Sequence, residues 1–145
     1  MRKYPAPHFV IAASTQEAYS RWLHWRAIAH VKRDKKRGNA TATNEAYKVA
    51  IHRAVCVSDG RDAYTGEPLD WSLLSKYDNA ASQAGRREYK AGFALLPTVD
   101  HVGDGLGPAD FKICGWRTND AKHDLTLAQL IEFCRKIIAH NSASI

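Results

Sequence analysis

The chain lacks the pairings and runs by which many small proteins declare themselves. It has three cysteines, Cys56, Cys114 and Cys134, widely separated and odd in number. No C-x-x-C pair occurs, so neither a zinc knuckle nor a dithiol redox motif is written here. Each cysteine sits among apolar neighbours, which predicts three buried free thiols. No apolar run approaches 18 residues, so the sequence contains no membrane-spanning stretch. Met1-Arg2-Lys3 has the charge of a secretory n-region, but the apolar stretch Phe9 to Ala13 is too short to follow it, and a cytoplasmic protein is expected. Internal repeats and low-complexity segments are missing as well. Acidic residues are few: 15 against 21 Lys and Arg, a formal charge of +6.

What is present fits one folded domain of 145 residues, with 45% hydrophobic residues and four tryptophans. The positive excess is concentrated. From Arg21 to Arg53 there are nine Lys or Arg and two acids, Asp34 and Glu45. A block of this kind favours a polyanionic partner, because each neutralised phosphate releases counterions. The densest part is Lys32, Arg33, Lys35, Lys36 and Arg37, which also suits the negative end of a helix dipole.

That run closes a predicted helix. Ser14, with Glu17 three residues on, has the form of a capping box. Ala18, Trp22, Trp25 and Ala29 follow at helical spacing, and Gly38 ends the pattern. A second helix is expected over residues 44–57, with Ala46, Val49, Ala50, Arg53 and Val57 at helical spacing. Gly66 and Pro68 mark a turn with apolar anchors around it, and residues 78–92 read as an exposed polar insertion. The closing helix carries a second capping box, Thr126 with Gln129. Its stripe of Leu127, Leu130, Ile131, Cys134, Ile137 and Ile138 is expected to be core, and the tail from Asn141 is expected to fray.

Between these lies the densest chemistry. A short apolar run, Leu95 to Val99, ends in Asp100-His101. Gly103, Gly105 and Gly107 follow, then Phe111-Lys112-Ile113-Cys114, then Thr118-Asn119-Asp120-Ala121-Lys122-His123, which reads as the opening of a helix. Strand, loop, strand and helix are thus expected within about thirty residues. Hydrolysis of a phosphodiester needs an activated water, charge stabilisation at phosphorus and help for the leaving oxygen, and a hard divalent cation supplies the last two. Asp100 offers a carboxylate to such an ion. Asn119 and His123, at i and i+4, are expected to point from one helical face toward the same place. His101, the next residue along an extended strand, projects away from Asp100. An imidazole titrates in the range needed to take a proton from water near neutral pH.

This constellation resembles the HNH endonucleases, the ββα-metal or His-Me finger family. The resemblance spans roughly residues 64–134, with its diagnostic part in 99–125. It implies Asp100 and Asn119 as metal ligands, with His123 one turn on as a third, and His101 as general base. It also implies Lys122 as the lysine of an Asn-x-x-Lys variant. The family's middle asparagine falls here on Asp110, an acid that can order the loop by accepting backbone N–H bonds. The cysteine pairs of many relatives are missing, which argues against a structural-zinc protein. The core is then held by packing, with Trp71, Trp116 and the last helix as contributors. The remaining histidines have no ligand-like spacing to the cluster.

The expectation is a single α+β domain over residues 1–145. Residues 1–62 form a basic helical part, residues 63–140 a ββα-metal module, and a C-terminal helix closes the fold. The implied activity is cleavage of DNA with one divalent ion, Mg²⁺ first and Mn²⁺, Ni²⁺ or Zn²⁺ as substitutes. Lys32, Arg33, Lys35, Lys36, Arg37 and Arg117 would contact the phosphate backbone, giving affinity without sequence readout. The alternatives are an RNase and a non-catalytic nucleic-acid-binding protein on the same scaffold.

Overall fold

The computed structural model describes residues 3–75 and 91–142; most of the expected insertion at 78–92, and residues 143–145 of the tail, lie outside them. The described chain is α+β. A short helix α1 (His8–Ile11) leads into α2 (Gln16–Lys36) and α3 (Asn44–Ser58). After a 3₁₀ turn at Trp71–Ser75 come strands β1 (Pro97–His101) and β2 (Phe111–Gly115), then α4 (Trp116–Lys122) and α5 (Leu127–Asn141). No helix among the described residues is long and apolar enough to cross a membrane.

Helix α2 begins one residue later than the sequence suggests. Thr15 is extended and its hydroxyl accepts from the Ala18 N–H, so Thr15, not Ser14, is the cap. The buried face is also rotated from the expected one. Ala18, Tyr19, Trp22, Leu23, Ala27, His30, Val31 and Asp34 turn inward, while Trp25 is 62% exposed. Ala18 and Trp22 of the expected stripe are buried, and the aromatic and long aliphatic side chains beside them bury the most area, which decides which face packs. Helix α3 shows the same substitution. Tyr47, Ile51 and Val55 are buried, while Val49 is partly open and Val57 is 80% exposed. Thr43 caps α3, and Asp59 ends it in the left-handed region at φ 50°.

Strands β1 and β2 pair antiparallel, with Val99 opposite Ile113, Asp100 opposite Lys112 and His101 opposite Phe111. Alternation sends Val99, His101, Phe111 and Ile113 toward α2 and α3. There Phe111 meets the Tyr47 ring edge-on at 5.4 Å. Thr98 and Cys114 lie on the other face, joined by a bond from the Thr98 hydroxyl to the Cys114 carbonyl. Trp71 closes the core beside Trp22 and Phe9, and its indole N–H donates to the Gly60 carbonyl.

Two core assignments fail. Cys114 alone of the three cysteines is buried; Cys56 and Cys134 are exposed. Cys134 lies on α5, whose expected core stripe has no buried residue at all. Leu127, Ile131, Phe133, Ile137 and Ile138 are all open to solvent. The capping box of Thr126 and Gln129 does form, so α5 is a helix for local reasons. Its apolar periodicity describes a face that meets no other helix or strand extensively among the described residues. Ile51→Ala is therefore expected to cost about 2–5 kcal/mol, whereas Ile138→Ala is expected to change stability by less than about 0.5 kcal/mol. Chemical denaturation of the two variants measures both, and equal losses would place α5 in the core.

Candidate active site

The site begins with a loop that one carboxylate ties down. Asp62 is buried, and its Oδ1 accepts from the Tyr64 and Thr65 N–H groups at 2.8 and 3.0 Å. Its Oδ2 accepts from the Gly115 N–H at 2.8 Å and the Thr118 side chain also donates to the carboxylate. Burial alone would raise this carboxyl, but these hydrogen bonds outweigh it and hold Asp62 below the usual carboxylate range. The loop from Arg61 to Pro68 is thereby fixed to the corner where β2 becomes α4. That corner turns at Gly115, so α4 starts at Trp116 rather than at Thr118-Asn119.

Tyr64, carried by this loop, reaches β1. Its hydroxyl donates to Asp100 Oδ2 at 2.5 Å, and Lys122 Nζ lies 3.2 Å from the same oxygen. Burial first, then the bond to Asp100, pushes the Tyr64 phenol well above its ordinary value, so it acts as a neutral donor. Lys122, the last residue of α4, is almost completely covered, and its ammonium also stands 5.6 Å from the Tyr64 ring centre. Asp100 thus faces α4, as strand alternation requires.

His101 faces the other way, into the helices. Its Nε2 lies 2.8 Å from Asp34 Oδ2, with side-chain exposures of 8% and 0%. The approach does not have hydrogen-bond geometry, and both ring nitrogens are covered. Tyr47 donates to the same Asp34 oxygen. Phe111 meets the His101 ring edge-on at 4.9 Å, and His30 stands 6.2 Å away. Above the pair runs the glycine loop. The Gly105 carbonyl accepts from Asn39 Nδ2 at 2.7 Å, and a Cβ at Gly105 would stand 2.7 Å from Asp34 Oδ1. Glycine is needed here both for that approach and for φ of 83°.

A cleft of about 520 Å³ joins these features. Asp100, His101, Asn119, Lys122 and His123 all line it, together with Arg33 and Arg37 from the end of α2. Other expected site residues lie at its edge or outside it. His123 follows the end of α4 at φ 52°, so it leaves the helical face it was expected to share with Asn119. It is 83% exposed beside Asp124, at the cleft's edge rather than its floor. Asp110 is exposed and lines a separate cavity with Arg53 and Arg61. The glycine loop is closed by the Asp110 backbone carbonyl, which accepts from the Val102 N–H, not by the carboxylate. Arg117 pairs with Glu67 and does not line the cleft. Lys32, Lys35 and Lys36 are exposed on α2 outside it.

Sequence reasoning did not single out Asp34, Tyr64, Tyr47, His30 or Asn39 for the site. One signal was present: Asp34 is the single acid within the run Lys32 to Arg37, three and four residues beyond the apolar Val31 and His30. An acid on the inward stripe of a basic helix needs a buried partner. His30 gives a measurable consequence. Burial first, then the Arg33 charge, lowers its pKa from 6.5 to about 4. The unfolded chain then binds the extra proton first, so stability held above pH 6.5 is lost as pH falls toward 4. The loss expected is about 3 kcal/mol. Urea denaturation of wild type and His30→Gln across that window checks this, the variant showing the shallower slope.

Among the described residues no three His, Cys, Asp or Glu side chains gather closely enough to hold an ion. The donors that fit a hard cation are the Asp100 carboxylate and the Asn119 amide. Tyr64 and Lys122 both meet the same Asp100 oxygen, Oδ2, and Asn119 is half-buried on the cleft wall. One carboxylate, one amide and retained waters are a set that Mg²⁺ accepts. An ion there has to share Asp100 with the Lys122 ammonium.

Fold and site together define an α+β chain whose two-stranded antiparallel sheet and following helix border a cleft lined by acids, imidazoles and arginines. No family model, curated protein or solved structure matches it.

Proposed function

We propose that the chain is a divalent-metal-dependent endonuclease of the ββα-metal kind, hydrolysing phosphodiester bonds in DNA. The observation that supports this reading is that Asp100, His101, Asn119 and Lys122 all line one cleft, flanked by Arg33 and Arg37. Asp100 and Asn119 would hold the ion, which when bound supplies charge stabilisation at the phosphate and the departing oxygen. The protein's own groups do the rest. His101 takes a proton from water as the water oxygen bonds to phosphorus. The bond to the leaving 3′ oxygen breaks, and that oxygen gains a proton from solvent. Lys122 spreads positive charge beside Asp100, and Arg33 with Arg37 seats the backbone of the nucleic acid. Shelter of the His101 nitrogens before substrate arrives is compatible with this role, since catalytic contacts often form only on binding.

A second reading has specific support: a nucleic-acid-binding scaffold without activity. Lys122 already balances Asp100, and His101 already faces Asp34, so both residues have structural duties without any substrate. Supercoiled plasmid incubated with Mg²⁺, Mn²⁺, Ni²⁺ or Zn²⁺, against a chelator control, separates the two. Nicked or linear product in any metal and none in chelator supports the nuclease. Binding without cutting in all four supports the scaffold. A single-stranded RNA in parallel tests the remaining substrate class.

A further inference from the structure

We infer that Asp34, on the basic helix α2, is the positioning residue of His101: its buried carboxylate holds the proton on Nε2 and leaves Nδ1 as the ring's unprotonated nitrogen. The inference rests on the reading of His101 as base.

The Asp34 side chain is fully buried, and its Oδ1 has no hydrogen-bond partner among the described residues. The Tyr47 hydroxyl meets Oδ2 from α3. Its own backbone carbonyl accepts from the Asn39 N–H at 3.0 Å. Asn39 in turn holds the Gly105 carbonyl, which lays the glycine loop against Oδ1. His101 Nε2 stands 2.8 Å from the same Oδ2. A carboxylate buried among apolar side chains is tolerated only when its charge is met by donors. A neutral imidazole has one N–H and one lone pair, and a carboxylate beside Nε2 selects the tautomer with the proton there. The Phe111 edge and the His30 ring limit rotation of the His101 ring. The consequence reaches beyond one residue. Helix α2 supplies Arg33 and Arg37 to the cleft and Asp34 behind the base, so the N-terminal helices are part of the site.

Long-range ¹H–¹⁵N spectra of the full chain at about pH 8, where an ordinary imidazole is neutral, report the tautomer without any metal or substrate. Loss of a signal in His101→Gln assigns the residue. The expected result is an Nε2-protonated ring in wild type, a shift toward the other tautomer in Asp34→Asn, and cleavage by that variant lower by about 10²–10⁴-fold in kcat with KM little changed. An Nδ1-protonated ring in wild type overturns the inference even if the variant does not fold. So does a folded Asp34→Asn with unchanged tautomer and full activity. If His101→Gln cuts as well as wild type, the base assignment fails instead, and the tautomer still decides what Asp34 does.

Discussion

Replacing His101 with glutamine is expected to lower metal-dependent DNA cleavage by about 10²–10⁴-fold, the range over which a positioned general base acts, while DNA affinity stays within about twofold. Glutamine is the informative choice because of Asp34. Alanine would strip a fully buried carboxylate of its neighbour, and removing one partner of a buried pair costs about 3–5 kcal/mol. A lost activity could then be a lost fold. Glutamine keeps an N–H donor for Asp34 and offers no basic nitrogen. Plasmid cleavage rates and DNA binding by anisotropy read the two effects separately. A folded His101→Gln that cleaves normally, or that loses binding and cleavage together, contradicts the role given to this residue.

Lys122→Met is expected to lose about 3 kcal/mol of stability in chelator, because Asp100 stays nearly covered and, among the described residues, keeps the Tyr64 hydroxyl alone against it. Much of that loss should return in Mg²⁺. A cation that binds only the folded chain stabilises it by about 2.7 kcal/mol at a hundredfold excess over Kd. Wild type is expected to gain less, since its own ammonium already occupies the neighbourhood of Asp100. Denaturation of both proteins with and without Mg²⁺ makes the comparison. Equal responses, or none, would show that Lys122 is a plain structural partner and that Asp100 takes no metal.

The parts of the fold that could be read in advance are those set by local chemistry. The order strand, loop, strand and helix after Leu95 is found, and so is the capping box at Thr126, because turn residues and caps act within a few positions. The opposite projection of Asp100 and His101 also holds, since strand alternation allows little else. Faces of helices were harder. In α2 and α3 two stripes compete at the same spacing, and the winner is set by which side chains the sheet offers to meet. Tyr47 of α3 meets Phe111 of β2, while Tyr19 of α2 packs on Trp22 and on His52 of α3. The stripe on α5 is the opposite case: its periodicity is clear, yet nothing in the sequence says whether a partner exists. Asp34 was hidden for a related reason. Among five cations it reads as part of a solvated helix end, and only its contact with a strand almost seventy residues away shows that it points inward. His123 was misplaced because Asn119 is not the first residue of its helix. With α4 starting at Trp116, the helix ends before His123.

Paramagnetic Mn²⁺ added in small amounts to the ¹⁵N-labelled chain tests the placement of the ion most directly. Selective broadening of the Asn119 side-chain NH₂ signal and the Asp100 and His101 backbone amides, reversed by Mg²⁺, is the outcome that cation binding between β1 and α4 requires. Broadening confined to exposed acids such as Asp104 and Glu132, with the Asn119 signal untouched, would contradict it.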